Sequence, residues 1–342
     1  MPKNVFKTRA KSVFFALLIF ALTVGIFVPQ VSATDLKLYP GGMPFGVKFF
    51  TDGVLIVGFS DINTGSGKVN PAYNAGLRTK DTLTKVNGNT IGGINDLTAA
   101  IEESEGKELK LTYKRDGKEY TTTVTPVLSS DDNKYKTGMW IRDSGAGIGT
   151  VTFIEPQTLT FGGLGHGICD IDTGELMPIS HGNVTNVTIN GITKGVSGSP
   201  GELKGYFGKE KLGELYENTE RGVFGRFFSP PSDIPEDALP VASSDEVKEG
   251  PAYIWCTLAN NKVTKYAIEI TTINRRDSNT KNFSVKVTDP ALKNECGGIV
   301  QGMSGSPIIQ NGKIVGVVTH VLVGDPTSGY GIFIENMLSA AK

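Results

Sequence analysis

Gly297-Gly298-Ile299-Val300-Gln301-Gly302-Met303-Ser304-Gly305-Ser306-Pro307-Ile308-Ile309 is followed by Asn311-Gly312 and the apolar run Ile314 to Val318. Two apolar stretches around an Asn-Gly pair predict a β-hairpin closed by a type I′ turn. Ser304 stands at the head of that hairpin between glycines, which tolerate positive φ and let a serine hydroxyl stand clear of its own backbone. The same bend aims the amide N–H groups of Gly302 and Ser304 at one point, where they would stabilise a tetrahedral oxyanion. Ser304 is therefore the candidate nucleophile. A plain glycine-flanked turn has the same local pattern, so the choice rests on the remainder of the chain.

A serine nucleophile needs a base, and three histidines are present. His166 lies in Phe161-Gly162-Gly163-Leu164-Gly165-His166-Gly167-Ile168, just after an apolar strand, and its glycine neighbours leave room for another side chain against the imidazole. His166 is the preferred base. His320, inside the strand-like run Val317 to Val323, and His181, in the polar turn Ser180-His181-Gly182-Asn183, are the other candidates. Gly195-Val196-Ser197-Gly198-Ser199-Pro200 nearly repeats the Ser304 hexad, but no hairpin is expected after Ser197. Ser306 lies two residues past the oxyanion donors, and Cys296 lacks the glycine turn and hairpin that follow Ser304.

The chain has 342 residues, 39% of them hydrophobic and 43 of them glycine, which points to a folded, strand-rich protein long enough for two domains. Lys3, Lys7, Arg9 and Lys11 precede the apolar run Val13 to Val28, and Val31-Ser32-Ala33 resembles a small-residue cleavage site. Residues 1–33 are thus expected to be a signal sequence or membrane anchor that carries the body across a membrane, with contact to the membrane through this segment. Setting aside those four cations turns the formal net charge of −1 into −5 for the remainder, which excludes a basic nucleic-acid surface. Cys169, Cys256 and Cys296 cannot all pair within one chain. Reduced, buried thiols are expected, with one disulfide, including Cys169 to Cys296, left open. His166-Gly167-Ile168-Cys169 has no second ligand pair to make a zinc site, and neither a metal nor another cofactor is expected. The Asn183, Asn186 and Asn282 sequons have meaning only in a eukaryotic secretory route.

Residues 34–128 read as a small α+β unit. Strands are expected at Val47 to Phe50 and Val54 to Phe59, then Asn70-Pro71-Ala72-Tyr73-Asn74-Ala75-Gly76-Leu77, Lys80-Asp81-Thr82-Leu83, the turn Asn87-Gly88 and a helix from Ile94 to Glu103. This pattern resembles a PDZ domain of the bacterial protease type, which implies a binding module for an extended peptide held at a sheet edge beside the helix near Pro71 to Leu77. The chain's own N-terminal segment is one expected ligand. Residues 129–137, with Asp131, Asp132 and Asn133, read as a mobile linker to a second domain, 138–342. Ser144-Gly145-Ala146-Gly147-Ile148-Gly149 has the spacing of a dinucleotide loop but strand-like flanks, and is rejected as one.

The motifs "LYPGGMPFGVK" from Leu38, "IRDSGAGIGTVTF" from Ile141, "LGHGI" around His166 and "GGIVQGMSGSPIIQNGKIVGVVTHV" from Gly297 through "GDPTSGYGIFIENML" resemble the stage IV sporulation protein B peptidases of endospore-forming bacteria. The resemblance implies a mainly β protein, a PDZ domain followed by a chymotrypsin-like double β-barrel. It also implies a trypsin-like serine endopeptidase, secreted or membrane-anchored, in the space between forespore and mother cell. There it would cleave the regulatory subunit of an intramembrane metalloprotease and so release a late sigma factor. Carried over by residue, the catalytic histidine falls on His166, the serine on Ser304 and the acid on Asp289 of Val287-Thr288-Asp289-Pro290, with Asp170, Asp172 and Asp325 as alternative acids. Self-cleavage is expected in the stretch Thr34 to Gly46, read as exposed and poorly ordered. The alternative from another class is a non-catalytic signalling scaffold with a PDZ domain and a peptidase-like barrel.

Overall fold

The computed structural model describes residues 36–276 and 281–341. The expected export segment, residues 1–33, lies outside the described residues. In chain order the principal elements are β1 (Lys37–Pro40), β2 (Pro44–Phe59), α1 (Pro71–Asn74), β3 (Thr82–Val86), α2 (Ile94–Glu103), β4 (Leu109–Arg115), β5 (Lys118–Val124), β6 (Met139–Ile154), β7 (Thr160–Gly163), β8 (Ile179–Thr193), β9 (Glu202–Thr219) and β10 (Gly222–Phe227). They continue with β11 (Gly250–Thr257), β12 (Val263–Ile273), β13 (Phe283–Val287), α3 (Pro290–Cys296), β14 (Pro307–Gln310), β15 (Lys313–Leu322), β16 (Asp325–Phe333) and α4 (Ile334–Leu338). The mainly β expectation holds.

Two rings of six strands form. β6-β7-β10-β9-β8-β2 closes because β2 also pairs with β6, and β11-β12-β13-β16-β15-β14 closes by itself. Each barrel is filled by the inward face of alternating strands. Phe45, Val47, Phe49, Phe161, Val184 and Phe227 fill the first, while Ile254, Ile268, Val285, Val315 and Phe333 fill the second. Leu38 of β1 and Phe153 and Phe224 of the first barrel pack with Val317 and Ile332 of the second and with Met337 of α4. That apolar seam fixes the two barrels against each other, and the site lies along it.

The PDZ-like unit packs Val54, Ile56, Leu77, Leu83, Leu97 and Leu111 in its own core. Asn70 caps α1 by accepting from the Tyr73 amide, with Pro71 at the first helical position, as the sequence signals it. The unit is joined to the first barrel differently from the expectation. Val47 to Phe50 and Val54 to Phe59 are halves of one strand, β2, whose first half lies in the barrel between β6 and β8, and whose second half lies in the PDZ-like sheet between β6 and β3. Gly53, at φ +95°, makes the transition. β6 likewise runs through both sheets.

The stretch from Asp131 to Lys136, expected to be a mobile linker, is a turn whose polar groups are partnered: Asp131 accepts from the Asn63 side chain, Lys136 pairs with Asp132 at 2.8 Å, and the Ser129 amide donates to the Lys134 carbonyl. Polar composition signals a loop but is silent on whether its groups find partners. Lys37 to Pro40, expected to be poorly ordered, is a strand paired with β6, with Leu38 buried in the seam between the barrels.

Because β2 and β6 belong to both sheets, unfolding should be a single transition for barrel and PDZ-like unit together. A Cβ at Gly53 would collide with the Leu83 carbonyl at a left-handed φ, so Gly53→Ala should destabilise the protein by more than about 2 kcal/mol. Denaturant unfolding followed by tryptophan fluorescence and by circular dichroism checks both points. Coincident curves shifted to lower denaturant are expected.

Candidate active site

The hairpin read from the sequence is present. β14 and β15 pair, and Asn311 and Gly312 take φ of 51° and 75°, the two positive values a type I′ turn requires. At its head Gly302 and Gly305 have φ of +98° and +100°, and a Cβ on Gly305 would strike the Thr150 carbonyl of β6. Glycine is therefore required at 305 on two counts, conformation and close approach. The turn is docked on β6 by three hydrogen bonds: Thr150 N–H to the Ser304 carbonyl at 3.0 Å, Thr150 Oγ1 to the Gly302 carbonyl at 2.7 Å, and Thr152 Oγ1 to the Gly305 carbonyl at 2.8 Å. Among the described residues the amide N–H groups of Gly302 and Ser304 donate to no backbone carbonyl outside regular structure. They are available as the pair of donors expected of an oxyanion hole.

Ser304 and His166 line one cavity of about 710 Å³, together with Ser144 to Gly149 of β6 and Thr319, His320 and Val321 of β15. The Ser304 hydroxyl donates to the Thr319 carbonyl at 2.8 Å. His166 Nδ1 lies 2.8 Å from the Gly167 carbonyl, which can only accept, so the neutral ring carries its proton on Nδ1 and leaves Nε2 unprotonated and able to accept. Burial lowers the His166 pKa below its ordinary value, opposed by the Gly167 carbonyl, which favours the charged ring. His320, with its ring centroid 4.9 Å from that of His166, is lowered to about 4 by burial, by His166 and by Lys281. Both imidazoles are neutral at pH 7.

Asp289 is in a different place from the one the resemblance implies. It is the N-cap of α3, accepting from the amides of Ala291 and Leu292, and its other oxygen accepts from Ala267 of β12 at 3.2 Å. It is absent from the cavity wall that holds His166. The local signal was legible, since Asp followed by Pro and a short apolar-periodic segment is an N-cap with proline at the first helical position. Of the alternative acids, Asp170 lines the cavity but is held by Arg142 and by the Thr173 amide and hydroxyl, and Asp172 takes the other arm of Arg142. Asp325 accepts from Thr327 and Ser328 at the start of β16. The group on His166 Nδ1 is a main-chain carbonyl.

The remaining candidates separate by burial and position. Ser306 is fully buried, with its hydroxyl unpartnered. Ser197 donates to the Gly324 carbonyl, and His181 stacks on Phe50. The segment after Ser197, expected to lack a strand, enters β9, and Gly201 and Leu203 bond to Gln301, so that this loop braces the Ser304 turn. Cys296 is buried and its thiol is pushed up to about 12 by burial and by Glu295, which leaves no thiolate for attack. All three cysteines are free, and Cys169, expected to be buried, is exposed in the cavity wall. Thr150, Gly167 and Thr319 escaped the sequence reading because each acts through geometry that only the packed barrels create.

Residues 133–338, well over half of the chain, match the family model described as SpoIVB peptidase S55. The chain belongs to this family. Residues 54–125 match the PDZ domain model. A putative zinc metalloprotease, LL2128, of Lactococcus lactis is 43% identical over 72 residues, 21% of this chain and 16% of that protein. The regulator of sigma-W protease RasP of Bacillus subtilis is 34% identical over 67 residues, 20% of this chain and 16% of that protein. The chain thus spans about a sixth of the length of these relatives. Among solved structures, the active form of the Rv3671c protease from M. tuberculosis is similar at 16% identity and a TM-score of 0.34, covering 57% of this chain and 72% of that one. The PDZ domain of the SdrC-like protein Lmo2051 from Listeria monocytogenes is similar at 19% identity and a TM-score of 0.22, covering 26% of this chain and 87% of that one.

Two outcomes follow for this S55 peptidase. The acidic limb of kcat/KM should have its midpoint below pH 6.5, because burial depresses His166 and the neutral ring is the working form, so activity rises through the lowered pKa and is on its plateau at pH 7. A midpoint at or above 6.5 in a pH–rate profile contradicts this. Asp289→Ala should cost about 1 kcal/mol of stability and leave kcat within about tenfold of wild type, whereas loss of a triad carboxylate costs roughly 10⁴ in kcat.

Proposed function

We propose that this member of the S55 peptidase family is a serine endopeptidase and not a non-catalytic scaffold, with Ser304 as the nucleophile and His166 as the general base, working as a dyad whose tautomer is set by the Gly167 carbonyl. The observation that carries the reading is the convergence on one cavity of Ser304, the His166 ring and two unengaged amide donors, Gly302 and Ser304. The step requires the hydroxyl to turn from the Thr319 carbonyl toward His166 Nε2 across the shared cavity. Nε2 then takes the proton as Oγ attacks the scissile carbonyl, whose oxygen accepts from the two amides. As the tetrahedral species collapses, the His166 proton passes to the leaving amine, and a water repeats the sequence to free the acid.

The proposed biological role is a signalling cut during sporulation. The motifs shared with the stage IV sporulation protein B peptidases support a substrate that is the regulatory subunit of an intramembrane metalloprotease, acted on between forespore and mother cell with release of a late sigma factor. The basic, apolar N-terminus supports export and membrane contact, and self-cleavage would fall before the paired strand β1 rather than within it. The PDZ-like unit supports binding of an extended peptide.

Ser304→Ala and His166→Ala should each abolish cleavage while leaving circular dichroism unchanged, because nucleophile and base act as a unit. A fluorophosphonate should label the wild-type protein on the peptide containing Ser304 and leave Ser304→Ala unlabelled. Cleavage by the serine variant at the wild-type rate would end the assignment.

A further inference from the structure

The outer edge of β6 is open along almost the whole distance from the PDZ-like unit to Ser304. From Met139 to Gly149 β6 pairs with β2 on one side, and its pairing with β7 begins only at Val151. Among the described residues, no main-chain group between Met139 and Gly149 bonds to anything outside that pairing with β2. An unpaired strand edge is a template for one more strand. Its two ends are framed by the two parts of the molecule. Residues 144–149 line the cavity that holds Ser304 and His166, and residues 139–141 line a second cavity with Thr98 and Ile101 of α2. α2 is anchored beside the strand, since the Ile94 amide donates to the Asp143 carboxylate at 2.8 Å.

The sequence suits the edge to a close main-chain neighbour. Ser144-Gly145-Ala146-Gly147-Ile148-Gly149, whose spacing resembles a dinucleotide loop, puts no bulky side chain on the cavity-facing stretch until Ile148, and a Cβ at Gly147 would meet open space. These small residues, left without a role by the catalytic groups, let a strand approach.

We infer that the open edge of β6 binds the carboxyl side of the polypeptide substrate as an added antiparallel strand, from the scissile bond to the groove between β6 and α2. The polarity follows from the fold. Every paired strand in both barrels and the PDZ-like sheet is antiparallel to its neighbour, and β6 runs from α2 toward Ser304. A strand added in the same sense starts at Ser304 and ends at α2 with its carboxyl end, after about ten residues at ~3.4 Å each. The PDZ-like unit therefore grips the same molecule that is cut, beside α2 and not beside α1, where the sequence reading places the ligand. This rests on Ser304 as the reacting centre.

Tethering tests the path without requiring turnover. In the full chain carrying Ser304→Cys and Cys169→Ser, a peptide of an amino-terminal cysteine activated as its pyridyl disulfide, four Thr-Val repeats and a carboxyl-terminal benzoylphenylalanine is attached at position 304 and irradiated. Crosslinks mapped by mass spectrometry are expected on α2 or on residues 138–141. They should fall at least about tenfold when the Thr amides are N-methylated, since strand addition is held by main-chain hydrogen bonds. Crosslinks on the second barrel, an absence of crosslinks, or a yield indifferent to N-methylation would overturn the inference. Fluorophosphonate labelling of the wild-type serine reports separately on the catalytic reading, so the two can fail independently.

Discussion

The closest constraint in the molecule is the contact between Gly305 and β6. With no side chain at 305, the Thr150 carbonyl can sit where a Cβ would be, and Thr150 and Thr152 then hold the Ser304 turn by three hydrogen bonds. The serine belongs to the second barrel and its support to the first. The seam of Leu38, Phe153 and Phe224 against Val317, Ile332 and Met337 keeps the two in register, so catalytic geometry depends on barrel packing and not on the turn alone.

Within that frame the base is prepared by modest means. A buried imidazole with a carbonyl on Nδ1 has its tautomer fixed, which is part of what a carboxylate does in a triad, while burial favours the neutral form. It lacks the carboxylate's stabilisation of the imidazolium. The nearest aromatic neighbour of His166 is a second neutral imidazole, His320, and the carboxylates of Asp170 and Asp172 are committed to Arg142. Arg142 ties β6 to the loop after His166, as Thr150 ties β6 to Ser304. One strand thus positions both reacting groups.

Much of this was legible in the sequence because it is local. The Asn311-Gly312 turn, the positive φ at Gly302 and Gly305, the helix from Ile94 and the glycine-bounded His166 each follow from short-range rules. Asp289, the acid that the resemblance implies, stands apart from His166 with its oxygens engaged by α3 and by Ala267, and a position carried over from a family says nothing about which oxygens are already engaged. The sharing of β2 and β6 between PDZ-like unit and barrel was hidden for another reason. A break in polarity at Thr51-Asp52-Gly53 reads as the end of a strand, whereas here it is a bend within one. The polar turn near Asp131 misled in the same way, since composition gives solvent preference but not partners.

The proposed catalysis depends on how Ser304, His166 and the two amides meet during reaction, and a crystal structure of the phosphonylated protein observes this directly. A phosphonyl group is expected on Ser304 Oγ, its oxygen accepting from the amides of Gly302 and Ser304, with His166 Nδ1 still on the Gly167 carbonyl and Asp289 still capping α3. A phosphonyl oxygen turned away from those amides, or a carboxylate hydrogen-bonded to His166 Nδ1, would contradict it.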